Sequence, residues 1–150
     1  MAAMTLSALA RQMALAAASA ARGEARGLKA AGQMLEEEAR ASLGTYQAAA
    51  APFPRWADLK DATIADRLRH GFSANEPLKR SGDLRDTIHH EVKGRTVHVF
   101  TRSPIAPHHE FGTRRMAPRP FLGPAVVRNL DRAGDAIARE VLTPFFTRRT

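Results

Sequence analysis

The chain has 150 residues, enough for one domain that buries roughly two thirds of its unfolded surface. Its 44% hydrophobic content is ordinary, but alanine supplies much of it and aromatics only 6%, so the expected core is thin and open to help from neighbouring subunits. A formal charge of +8 points to a polyanion or an acidic protein face as partner, and the lack of cysteine excludes disulfides, thiolate zinc sites and thiol catalysis.

The first element is a long helix from Thr5 to about Leu43. Leu6, Leu9, Met13, Ala16, Ala20, Leu28, Ala31 and Leu35 recur at three- and four-residue steps, broken by one gap around Glu24. Thr5 or Ser7 caps its start and Gly44 closes its end. Residues 1 to 21 are alanine-rich, but Arg11 and Gln12 interrupt any signal-peptide core, and no run approaches the ~18 apolar residues of a membrane span. Unbroken, the helix would be about 55 Å long. A compact chain of this size has a radius of gyration near 15 Å, so the helix outruns the body. Gly23, Gly27 and Gly32 offer two ways out. The favoured one is a bend or break there, each glycine costing about 1 kcal/mol against alanine. The other is close approach of a second helix, from a neighbouring copy for example, to the small residues at 23, 27, 31 and 32.

Thr45 to Trp56, with Pro52-Phe53-Pro54, is a loop. A short helix from about Leu59 to His70 follows, capped by Asp58 or Asp61 and striped by Ile64 and Leu68. Phe72 to Arg80 is a loop, and Ser81-Gly82-Asp83 turns the chain into two strands. Thr87 to Val92 and Thr96 to Arg102 make a hairpin, with Val97, Val99 and Thr101 alternating against His98, Phe100 and Arg102 about a turn at Lys93-Gly94-Arg95. Pro104 and Pro107 end the pairing, so Ile105 to Thr113 reads as irregular or extended. Pro118 and Pro120 keep Met116 to Pro120 extended. The last helix spans about Phe121 to Phe145, with Pro124 in its first turn and Val126, Leu130, Ala133, Ile137, Val141 and Phe145 as its buried face. Pro144, followed by Arg148 and Arg149, marks its finish. The fold class is α+β: long N-terminal and C-terminal helices packed on a small antiparallel β-sheet, in one domain with a helix over 1–44, a loop over 45–58 and an α+β body over 59–150.

The segment His109-Glu110-Phe111-Gly112-Thr113-Arg114-Arg115-Met116-Ala117-Pro118-Arg119-Pro120-Phe121-Leu122-Gly123-Pro124-Ala125 carries the most information. Gly112 permits a backbone turn that a Cβ would obstruct, and Thr113 can hydrogen-bond the reversing chain. Arg119 is expected to project from a stiff strut between two prolines, while Phe121 and Leu122 plug the core. Glu110 is placed to pair with Arg114, Arg115 or Arg119. The strut either meets a neighbouring subunit or docks the last helix within the chain.

This segment resembles the Glu-Phe-Gly-Thr and Met-x-x-Arg-Pro-Phe-Leu-x-Pro-Ala signature of the HK-ninety-seven gp-ten-like family of tailed-phage neck and tail-completion proteins. Trp56, Leu59, Thr63 and Ile64, then Pro77, Leu78, Ser81, Gly82, Leu84 and Ile88, are similar to that family's lead into its hairpin. The likeness covers most of residues 56 to 130. It departs at Ile105-Ala106-Pro107-His108, where family members often carry an aromatic-alanine pair. The resemblance implies a structural virion protein, made in the host cytoplasm and placed at the head–tail junction. It would form a ring, six copies being favoured, between head-closure or connector proteins and the tail, around the DNA channel. It also implies a subunit or partner interface at Glu110, Phe111, Gly112, Thr113, Arg114, Arg115, Met116, Arg119, Pro120 and Phe121.

Of the basic residues, 14 lie from Glu76 onward against 8 acidic ones; before it the ratio is 9 to 7. Arg114, Arg115, Arg128 and Arg132 are candidates for phosphate contact with channel DNA, without sequence readout. Acidic faces of adjacent proteins, or plain solvation, would explain the same charges. An independent non-specific double-stranded DNA-binding protein is the alternative function. No catalytic residues are expected: there is no nucleophile elbow and no phosphate-cradling glycine loop. Adjacent histidines on a strand face opposite sides, so neither His89-His90 nor His108-His109 chelates well by itself; a site from His98, His109 and Glu110 would need the fold to assemble it, and no cofactor or metal is expected. A metal hydrolase built on His108, His109 and Glu110 is the remote third reading.

Overall fold

The computed structural model of the protein describes residues 5–146. Its elements are α1 (Leu6–Ser42), α2 (Asp61–Arg69), α3 (Asp83–Asp86), β1 (Ile88–Lys93), β2 (Thr96–Thr101), α4 (Ala106–Phe111) and α5 (Leu122–Phe146). The two long helices pack against each other and against a two-stranded antiparallel hairpin, the α+β arrangement expected from the sequence.

Helix α1 starts where the Thr5 hydroxyl accepts the amide of Ala8 at 3.2 Å. It then runs 37 residues without interruption, so the favoured break at the glycines does not occur. The close-approach alternative holds instead, and the partner is α5 of the same chain. A Cβ on Gly23 would lie 2.3 Å from the carbonyl oxygen of Glu140, and one on Gly27 2.6 Å from the Cα of Ile137. The contact between the backbones offsets what the glycines cost the helix.

That contact also explains a second correction. The buried residues of α5 are Pro124, Ala125, Asn129 and Ala133. Of the expected stripe, only Ala133 is buried; Val126, Leu130 and Phe145 are exposed, and Ile137 and Val141 are half-buried. Two helices this close interleave small residues, and bulky ones turn away from the seam.

The hairpin pairs Ile88 with Thr101, His90 with Val99, and Val92 with Val97, as the alternation requires. The face carrying Ile88, His90, Val97 and Val99 turns towards α1. There Glu36 accepts the backbone amide of His90 at 2.9 Å and meets its ring at 2.5 Å, while Arg40 bridges Glu36 and the Ile88 carbonyl. Burial alone would raise the Glu36 pKa, but the His90 hydrogen bond and the charge on Arg40 outweigh it and hold the carboxyl below its usual range.

Two further expectations are revised. Helix α2 begins at Asp61 with Lys60 as its cap residue and no side-chain cap, so neither Asp58 nor Asp61 serves. Its inner face carries half-buried Ile64 and buried Arg67, whereas Leu68 is 58% exposed. Arg67 is satisfied by the carbonyls of Ser73 and Lys79 at 2.7 and 2.6 Å. Residues 106–111, expected to be irregular or extended, form α4; Pro107 is tolerated because it lies in the first turn.

The core is small and lies at one end, where the last turns of α1, the loop before α2, the hairpin and the start of α5 converge. Ala39, Leu43, Trp56, Leu84, Ile88, Ala106, Phe121 and Ala125 form it. The loop supplying Trp56 is closed by paired backbone bonds between Ala50 and Phe53, at 3.0 and 2.7 Å. Arg148 and Arg149 lie outside the described residues.

Candidate functional site

The signature segment is a brace built around the N-terminus of α5. A helix start leaves several amides without intrahelical partners. Here the Glu110 carboxylate, arriving from α4, accepts three of them: Phe121 at 2.8 Å, Leu122 at 3.2 Å and Gly123 at 2.9 Å. The expected pairing of Glu110 with Arg114, Arg115 or Arg119 is therefore replaced by a cap, with a negative charge on the positive end of the helix dipole.

Between Glu110 and α5 the chain reverses twice. Gly112 sits at φ 74°, and a Cβ there would meet the Met116 carbonyl oxygen and the Pro118 nitrogen at 2.9 Å. Thr113 exchanges backbone hydrogen bonds with Met116 at 2.9 and 3.3 Å, and its hydroxyl accepts the amides of Arg115 and Met116. Arg114 and Arg115 form the tip of this turn, and both are exposed.

Arg119 does not project outward. Its side chain is buried, donating to the carbonyls of Ala57 and Asp58 at 2.9–3.1 Å, while its amide donates to His109 at 2.7 Å. Proline flanks fix the backbone but not the side-chain direction, and two carbonyls without helix or sheet partners draw the guanidinium inward. Pro120 and Phe121 are fully buried, and the Pro120 carbonyl accepts the Trp56 indole N–H at 2.8 Å.

The ten residues singled out in the sequence thus divide. Arg119, Pro120 and Phe121 dock α5 within the chain, and Glu110 and Gly112 shape the brace. Phe111, 80% exposed, shares the outer surface with Thr113, Arg114 and Arg115; Met116 is half-buried. Of the other candidate DNA contacts, Arg128 donates to Gln47 and to the Ala48 carbonyl at 2.7 and 2.6 Å, and Arg132 to Asn129 at 2.8 Å. Those two guanidinium groups are partly engaged within the subunit.

Beside the brace opens a cavity of about 600 Å³, lined among others by Leu59, Leu78, Leu84, Ile105, His109 and Met116, with Arg115 at its edge. Burial, with the charges of Arg119 and His108 adding to it, depresses the His109 pKa and favours a neutral ring; its buried Nδ1 lacks a hydrogen-bond partner. The other histidines are dispersed: His90 is held by Glu36, and the His89 ring lies 6.2 Å from that of Phe100. Among the described residues no group of three or more His, Cys, Asp or Glu is placed to hold a metal ion, and no helix is long and apolar enough to cross a membrane.

The Glu110 cap, the inward turn of both buried arginines and the outward apolar face of α5 are not among the features the sequence leads one to expect. Only the last left a local signal, because Val127, Leu130, Leu142 and Phe145 recur at helical spacing. The first two depend on contacts between segments.

No curated protein and no solved structure matches the chain significantly. The sequence model of the phage virion morphogenesis family matches residues 6–141, from the first turn of α1 almost to the end of α5. This family is broader than the neck and tail-completion family that the signature resembles, and what the two share is a structural role in building a phage particle. A match over that span assigns the chain: it belongs to the phage virion morphogenesis family.

Proposed function

We propose that the protein is a ring-forming component of the head–tail junction, a neck or tail-completion protein of the HK-ninety-seven gp-ten-like kind. In this reading it assembles in the host cytoplasm and joins head-closure or connector proteins to the tail. Six copies surround the DNA channel, and the protein performs no catalysis and carries no cofactor. The observation that supports it most is the brace. Three backbone amides, two buried proline-flanking contacts and a glycine turn hold Phe111, Arg114 and Arg115 outward on a stiff mount. An aromatic beside two arginines, presented without loop-ordering cost, is the composition that protein interfaces favour.

The test is a double substitution, Arg114→Glu with Arg115→Glu, in a particle that assembles with this protein. The subunit keeps its fold, because neither side chain is buried. Electron micrographs should then show free heads and free tails accumulating. Normal joining of heads to tails would contradict the role assigned to the turn.

The same two arginines favour a second reading, non-specific binding of double-stranded DNA. It requires an affinity for a short duplex that falls with salt, the logarithmic slope being about −0.9 per phosphate neutralised. Absence of binding at low salt removes it.

A further inference from the structure

Helices α1 and α5 run antiparallel, with Gly23 against Glu140 and Val141, and Gly27 against Ile137. At 1.5 Å per residue in each helix, Phe146 falls level with roughly Ala17. Among the described residues, positions 6–16 of α1 therefore continue about 16 Å beyond α5. That overhang carries Leu6, Leu9 and Met13, which are 88%, 42% and 65% exposed. Leu9 stands five helical turns before Gly27 and Met13 five turns before Ala31, at 3.6 residues per turn. The overhang thus continues the same face that α1 buries against its own α5. From Leu6 to Ala21 the sole charge is Arg11, on the opposite side of the helix.

Helix α5 has a matching surplus. Beside its seam with α1, the exposed residues Val127, Leu130, Gly134, Ala138, Leu142 and Phe145 follow at steps of three or four, within an arc of about 120°. Val127, Leu130, Leu142 and Phe145 are 46%, 64%, 47% and 53% exposed, and a Cβ on Gly134 would meet nothing within 4 Å. Asp131 lies within this arc, and Asp135, Arg128, Arg132 and Arg139 stand to one side of it. An open hollow lined by Ala17, Ala20, Ala21, Ile137 and Val141, with the Glu24–Arg95 ion pair among its lining residues, runs along its other side. A helix whose apolar arc runs on from its packed seam to exposed positions is one made to be covered there too.

The areas agree. The chain exposes 10481 Å², whereas a compact monomer of 16.4 kDa exposes about 7,500 Å². A subunit in a ring has two flanks, and a standard interface takes about 800 Å² from each. The surplus is large enough for both.

We infer that residues 6–16 of one copy lie on the outward face of α5 of the next copy, with Leu6, Leu9 and Met13 against Val127, Leu130 and the gap at Gly134 and Ala138. This rests on the ring reading and identifies the contact that closes the ring. The overhang cannot reach the outward face of its own α5, because it runs on past the end of that helix. Pairing two overhangs would leave both α5 faces bare, whereas a head-to-tail contact covers both surfaces at once and repeats from copy to copy.

Three proteins test it by native mass spectrometry and light scattering: wild type, an overhang variant (Leu9→Glu with Met13→Glu) and a face variant (Leu130→Glu with Ala138→Glu). All four substituted positions are exposed in the subunit, and circular dichroism verifies that each variant stays folded. Wild type should be a closed oligomer and each variant a monomer. An equal mixture of the two variants should form a dimer, because one supplies an intact overhang and the other an intact face. An oligomer that survives in either variant overturns this contact while leaving a ring built elsewhere. A mixture that stays monomeric overturns the head-to-tail arrangement. Wild type that is monomeric yet still joins heads to tails overturns the contact alone; wild type that also never enters particles takes the ring reading with it.

Discussion

The two ends of the long helix pair obey different rules. At one end α1, the hairpin and the start of α5 share a core around Trp56 and Phe121, and buried polar groups are matched with bonds reaching across the sequence. At the other end the helices carry comparable apolar residues, yet Leu6, Met13 and Phe146 stand 65–88% exposed. The difference teaches that hydrophobicity along a helix marks where a partner is needed, not whether the same chain provides it.

The largest expected effect lies at the built end. Phe121→Ala empties a fully buried site and should cost about 3–5 kcal/mol in chemical denaturation. Leu130→Ala, on the uncovered face of α5, should fall within about 0.5 kcal/mol of wild type when measured on the monomer. Similar losses at the two positions would erase the contrast.

Glu110→Ala comes next. It removes the acceptor for three amides at the start of α5 and should destabilise by about 2 kcal/mol. Glu110→Gln should recover part of this, since one carbonyl oxygen remains. Full recovery would mean that the negative charge contributes nothing.

A matched pair of glycines sharpens the comparison further. Alanine is the better helix former by about 1 kcal/mol, so Gly134→Ala, with open space around it, should stabilise by up to about that amount. Gly27→Ala forces a methyl to within 2.6 Å of the Ile137 Cα and should destabilise by about 1–3 kcal/mol despite the same gain in propensity. Thermal melts of the two variants should shift in opposite directions.

The smallest effect depends on pH. The folded pKa of Glu36 lies below its ordinary 4.5, so its contribution is complete above that value and is lost as the pH falls through 4.5 towards the folded value. Wild type should therefore lose more stability than Glu36→Gln between neutral and strongly acid solution. Equal losses would mean that the His90 and Arg40 contacts do not favour the ionised form.

Much of the fold could be read from the sequence because it is written locally. The Thr5 cap, the alternation of Val97, Val99 and Thr101, and the two long apolar periods each need only neighbours in the chain. The misplaced buried face of α5 has a physical cause. Bulk is the usual sign of burial, but the helix seam is closed by Gly23, Gly27, Ala125 and Ala133, whose value lies in how near they let the backbones come. At the brace, the turn at Gly112 followed from the residue types alone. The fate of Glu110 and Arg119 did not, because each could satisfy its charge in several ways and only the assembled tertiary structure selects among them. In α4, two prolines suggested extended chain, yet Pro107 falls in the one turn of a helix that tolerates it.

Amide hydrogen exchange along α1, followed in the free subunit and after assembly, addresses the contrast most directly. A helical end without tertiary packing is marginal, so amides 6–16 should exchange quickly in the subunit and become protected on assembly, while amides 27–42 stay protected throughout. Slow exchange of 6–16 in the isolated subunit, or unchanged fast exchange after assembly, would contradict the view that neighbouring copies complete this end of the molecule.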